Sequence, residues 1–270
     1  LELGHTGHAL RDEVLARLLR KGFHALPFYP EFVRADDPES GLAADVRSPR
    51  FSLSYWATRN RFGALVETHS WQEYPRRVAA TRATIHAMVE LTARDGAKWL
   101  GAARAADERA RQLGGKPVAL SFRNTDAVRT VELRGYEYTR EPSSVSGQPW
   151  IRYDSARPTV WRLPVRYEVQ PALTVTAPAT GYVVPSAHAA WMSEKLALHG
   201  VEFQRVIAPQ PASAVQTFRA GKATTAAETF EGRSLMTVDG AWRDEKRDIG
   251  PGALFVPIAQ PKARLVMSLL

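Results

Sequence analysis

The sequence predicts an α/β protein in two parts, helix-rich over residues 1–115 and β-rich over 116–270. Three observations carry this. Apolar residues recur at helical spacing over 8–21 and again from Pro75 onward. A short apolar run between them, Ala64-Leu65-Val66, reads as a buried strand. After Gly115, β-branched and aromatic residues alternate or cluster between Pro, Gly and Ser turns, as strands do. With 270 residues, 44% hydrophobic and 24% charged, the chain is long enough for one large or two ordinary globular domains.

In chain order, Leu10, Val14, Leu15, Leu18 and Leu19 outline an amphipathic helix, and Gly22 stands where a C-terminal cap belongs. A loop with Pro27, Pro30, Pro38 and the run DDPESG follows, ending near Arg50-Phe51. A strand is expected at 62–68. Pro75 suits a first helical turn, and Val78, Ile85, Met88, Val89 and Thr92 outline one face of the long helix it opens. Asp95-Gly96 is expected to break that helix, with a second, Ala/Arg-rich helix running to Gly114-Gly115. Beyond it, KPVALSF, RTVELRGYEYTR, TVWRLPVRYEV and ALTVTAP read as strands. A helix over about 187–198 ends at Gly200, then strands are expected at 201–207 and 252–258, and Pro261 opens a short last helix.

The formal net charge of +8 is spread in alternating runs such as DERAR and RDEKRD. No basic stripe with interleaved aromatics stands out, so a nucleic-acid partner is not expected. No apolar run has the ~20 residues that cross a bilayer as a helix, so no membrane partner is expected either. There is no cysteine, which excludes disulfides and thiolate metal sites. Localisation and oligomeric state stay open, with a periplasmic or secreted setting favoured over the cytoplasm.

The strand at 62–68 leads straight towards a helix. In that arrangement ligand sites form beyond the carboxyl end of the strand, where Glu67 sits, with His69 two residues on and on the same face. A rigidly aimed carboxylate there is a candidate proton acceptor. A solvated strand end or a carboxylate near a helix N-terminus is the plainer alternative.

The stretch PRFSLSYWATRNRFGALVETHSWQEYPRRVAAT (49–81) resembles the bacterial zinc carboxypeptidases of the carboxypeptidase A type. In those proteins the last strand of the large domain carries the catalytic glutamate ahead of a long helix. ATGYVVPSAHAAWMSEKLALHGVEFQRV (179–206) and GALFVPIAQPKARLVMSLL (252–270) resemble the tail that some of them add. The resemblance implies that residues 1–115 are the C-terminal part of a carboxypeptidase-like mixed-sheet domain, followed by a β-rich accessory domain. It implies hydrolysis of C-terminal residues from a peptide substrate, with zinc activating water and Glu67 acting as general base and then acid.

The family's zinc ligands, a His-x-x-Glu pair and a later histidine, precede that glutamate in chain order. Here only His5, His8 and His24 precede Glu67, and none opens a His-x-x-Glu. The ligands are therefore expected upstream of this chain, no metal ligand is assigned within it, and the sheet is expected to be left uncovered. The formal match His199-Gly-Val-Glu202 straddles a helix end and is set aside. Arg59, Tyr55 and His69 are the candidate substrate-binding residues. Arg59 and Arg61 are also ordinary salt-bridge candidates, Tyr55 a packing residue and His69 a strand-end histidine. Trp150, Tyr153, Trp161 and Tyr167 could stack a ligand or form core. The competing class is a non-catalytic peptide- or glycan-binding module, or a degenerate peptidase relative. A serine hydrolase lacks its G-x-S-x-G elbow.

Overall fold

The computed structural model describes residues 3–27, 30–34, 37–44, 46–68 and 72–270. It is a mixed α/β protein with several small sheets and two compact units, Leu1–Ala179 with Ile258–Leu270, and Thr180–Pro257. The switch from helix to strand falls where composition changes, after Ala110 and before Pro117. The compact units divide elsewhere, because the last helix of the chain belongs to the first unit.

In the first unit, α1 (Gly4–Arg20) ends as expected. Gly22 adopts φ 80°, Phe23 N–H donates to Leu18 O at 2.9 Å and Gly22 N–H to Leu19 O at 2.9 Å, so the last carbonyls are satisfied by a left-handed turn. Two short strands, β1 (Pro30–Phe32) and β2 (Leu42–Ala44), flank a 3₁₀ turn at Pro38–Ser40. After α2 (Ser52–Thr58) comes α3 (Tyr74–Ala110), one helix of 37 residues.

One expectation for α3 is corrected. Asp95-Gly96 does not break it: a helical glycine costs only ~1 kcal/mol, and Arg94 holds the Asp95 carboxylate at 2.7 Å, away from the backbone. The apolar stripe is not the buried face of the helix. The buried positions are Ala83, Thr84, Ala87 and Leu91, then Ala103, Ala106 and Ala110, while Val78, Ile85 and Val89 are 48%, 53% and 63% exposed. Small side chains let neighbouring chain lie close to the helix, and α1 packs on it with Leu18 buried and Arg17 paired to Glu90.

The expected strand at 62–68 is also corrected. Residues 61–68 form neither helix nor ladder, and Leu65, Val66 and Glu67 are exposed. A run of strand-forming residues becomes a strand only when another backbone supplies hydrogen bonds, and among the described residues none does.

The β-rich stretch forms β3 (Pro117–Asn124), β4 (Arg129–Pro142), β5 (Pro149–Arg166) and β6 (Val169–Thr176). β3 pairs with β6, and β1-β2-β5-β4 make a second, mixed sheet in which β2 and β5 run parallel. Leu42, Leu163 and Val165 are its buried centre, with Phe32, Val131, Leu133, Trp161 and Tyr167 packed round them. The second unit holds β7 (Gly181–Val184), α4 (Ser186–Leu198), β8 (Gln204–Arg205), β9 (Gln210–Phe230), β10 (Arg233–Ile249) and β11 (Leu254–Pro257). β7-β11-β8 form an antiparallel sheet under α4. The strand expected over 201–207 shrinks to Gln204–Arg205, since Val201 N–H is spent on Leu196 O at 2.8 Å, closing the end of α4. β9 and β10 form an exposed ribbon whose two-residue turn, Glu231-Gly232, takes φ 48° and 71°. The chain ends in α5 (Ala263–Leu269), with Ala263, Leu265, Val266 and Met267 buried against the first unit.

Candidate functional site

The approach to Glu67 begins at Arg59-Asn60-Arg61, where α2 ends. Asn60 takes φ 55°, a conformation its short amide tolerates better than most side chains do, and is only 2% exposed. Its Nδ2 donates to Asp107 Oδ1 and to the Pro261 carbonyl, both at 3.2 Å, tying the end of α2 to α3 and to the segment before α5. Arg61 grips the same Asp107 with two parallel bonds of 3.0 and 2.9 Å, and that hydrogen bonding raises the arginine's pKa above its usual value. Asn60 and Arg61 are thus fasteners.

Arg59 is placed differently. Its Nη1 donates to the Tyr55 hydroxyl at 3.0 Å, and its guanidinium lies 5.3 Å from the Tyr55 ring centroid and 5.4 Å from that of Trp56. Two of the expected substrate residues, one helical turn apart, are therefore brought together as a cation stacked on aromatic faces. No carboxylate pairs with Arg59 among the described residues.

From there the chain runs along α3. The Phe62 ring lies 6.0 Å from that of Trp99, Gly63 passes Leu53 and Trp56, and Thr68 Oγ1 accepts from Arg77 Nε at 3.4 Å. Two contacts 22 residues apart on α3, ~33 Å by helix rise, are made by residues six apart, so this segment is drawn out along the helix and antiparallel to it. Thr68 forms one wall of an open groove of about 480 Å³ whose floor is Tyr74, Val78 and Ile85, with Arg77, Arg82 and His86 beside them. Glu67, immediately before Thr68, is exposed and outside the groove lining. His69 lies outside the described residues.

The groove residues were not singled out as a site because an apolar stripe at helical spacing marks a face of the helix without recording whether anything covers it. The competing signal was present: Ala80, Ala83 and Ala87 give a second face at the same period, and Arg77 and Arg82 interrupt the apolar one.

Within the described residues the donor set does not fit zinc. Among the described residues no three His, Cys, Asp or Glu side chains come together as a metal site. His5 and His8 lie on α1. His199 caps α4 and is followed by Gly200 at φ 60°, so the formal His199/Glu202 match spans a helix end.

The four aromatics considered as a platform separate. Tyr153 and Trp161 join Tyr138 in a packed cluster with centroids 5.9–6.0 Å apart, and Trp161 Nε1 donates to Tyr136 O at 3.1 Å. Tyr167 sits under Arg129, and Trp150 is 45% exposed, pairing across the strands with Glu141. Nearby, the Asp37 carboxylate is held below its ordinary pKa by hydrogen bonds from Arg140 and Arg34.

Compared with models of known protein families, with curated proteins and with solved structures, the chain matches none.

Proposed function

We propose that this chain supplies the proton-transferring carboxylate of a peptide-hydrolysing protein of the zinc carboxypeptidase A type, with Glu67 as general base and then general acid. One observation carries it. The residue that the resemblance marks as catalytic is open to solvent, and its neighbour Thr68 walls a groove long enough for an extended peptide. The Arg59–Tyr55 pair adds a cation at the other end of the same segment, beyond Phe62.

The proton work can be written with this chain's residues alone. Glu67 takes one proton from the water whose oxygen attacks the scissile carbonyl. It then gives that proton to the amide nitrogen as the carbon–nitrogen bond breaks, leaving a carboxylic acid, an amine and a carboxylate ready for the next cycle. In the family zinc makes the water acidic enough for this. The described residues hold no site for it, so no step here is routed through the metal.

The test is release of C-terminal residues from peptides by the full-length gene product in zinc-containing buffer. Glu67→Gln is expected to lower the rate at least ~100-fold while peptide affinity is kept, since a general base contributes that much or more. An unchanged rate would remove Glu67 from the chemistry.

A second reading, a non-catalytic peptide-binding module, is favoured by the same groove. It predicts peptide binding with no hydrolysis at any zinc concentration.

A further inference from the structure

The face of α3 that carries the groove combines three independent features. The first is apolar: Tyr74, Val78, Ile85 and Val89 are 73%, 48%, 53% and 63% exposed and lie along one side of the helix. The second is backbone. Among the described residues no backbone hydrogen bond closes on Phe62–Thr68, a segment that runs along α3 from Trp99 to Arg77 and enters the groove lining at Thr68. The third is charge. Arg77, Arg82 and His86 line the groove, and among the described residues no carboxylate lines it and none of the three is in an ion pair.

The surrounding charges are accounted for. Arg76 stacks on Phe23 and donates to Gly22 O, and Glu90 is taken by Arg17. Glu67 and Glu73 are exposed, each next in sequence to a lining residue, Thr68 and Tyr74, and neither is part of the lining.

From these features we infer that the groove binds an extended polypeptide segment with alternating acidic and apolar side chains, added as a strand to Phe62–Thr68. An unladdered backbone accepts a strand with main-chain hydrogen bonds, and side chains alternate on it every ~6.8 Å. Val78 sits ~6 Å along the helix from Tyr74, which matches that spacing. Tyr74 to Val89 spans ~22 Å, the reach of about seven extended residues. Apolar side chains would rest on Tyr74, Val78 and Ile85, and carboxylates would meet Arg77 and Arg82. Binding is read without chemistry, so this inference survives failure of the hydrolytic assignment.

The probe is a fluorescent, end-blocked heptapeptide alternating Glu with Leu or Val, followed by anisotropy on the intact chain. It should bind, and more weakly as salt rises. The same peptide with Lys for Glu should bind at least ~10-fold more weakly, as should the double variant Arg77→Glu, Arg82→Glu, two charge reversals at a partly exposed site. N-methylation of alternate peptide residues should cost a similar factor in one register and little when shifted by one residue, because only every second N–H of an added strand faces its partner, whereas a helix in the groove would lose affinity in both registers. Circular dichroism checks that the surface variants keep the fold. Failure to bind, equal affinity for the Lys peptide, or indifference to the register of N-methylation overturns the proposal. So does a concentration-dependent dimer abolished by Ile85→Asp, which would assign the face to a second copy.

Discussion

Replacing Asn60 by alanine and, separately, by glycine divides the anchor at the end of α2 into its side-chain and backbone parts. The alanine variant loses a hydrogen bond to a carboxylate, ~1.5 kcal/mol, and one to the Pro261 carbonyl, ~1 kcal/mol, the low ends being apt for 3.2 Å contacts. It also places a Cβ without a compensating amide at φ 55°, adding ~1 kcal/mol. The sum is about 3.5 kcal/mol. Glycine loses the same bonds but relieves the backbone, for about 2.5 kcal/mol. In thermal unfolding followed by tryptophan fluorescence, the alanine variant should melt roughly 7–14 °C lower, with glycine between it and the parent. A glycine variant less stable than alanine would refute the backbone part. An alanine variant within about 0.5 kcal/mol of the parent would refute the anchor altogether.

Three further outcomes are expected. The depressed pKa of Asp37, caused first by Arg140 and then Arg34, means its stabilisation is present above the unfolded value of 3.8 and is lost as pH falls through the lower native value. Asp37→Asn should therefore flatten the loss of stability in that acid window, and an identical pH profile would refute it. Gly135→Ala would drive a methyl into the Trp161 ring that lies across it, breaking the Trp161–Tyr136 hydrogen bond. The variant should lose about 1–3 kcal/mol and shift tryptophan emission to the red, whereas a silent substitution would mean the ring lies elsewhere. Trp99→Ala removes the ring that holds Phe62, so limited proteolysis should cut residues 61–68 faster than in the parent, and an unchanged cutting rate would show that the contact does not restrain the segment.

What could be read from the sequence was local. Helix ends at Gly22 and Gly200 follow from a single residue's freedom at positive φ, and β3 to β6 follow from residue alternation between turn formers. The β9–β10 ribbon was missed because its turn is Glu-Gly rather than Asn-Gly, and long runs of Ala and Thr blur the alternation. In the candidate site, Tyr55 and Arg59 were found by position, and only the folded chain joins them through one hydrogen bond.

The sequence by itself determined which stretches favour helix or strand, because propensity, capping and period act over a few residues. Only the tertiary structure decided which face of α3 is buried, whether ALVET pairs as a strand, and that Asn60 and Arg61 converge on Asp107. Those outcomes depend on partners 40 or more positions away, such as Asp107 and Pro261, and no local pattern records where a distant backbone will come to lie.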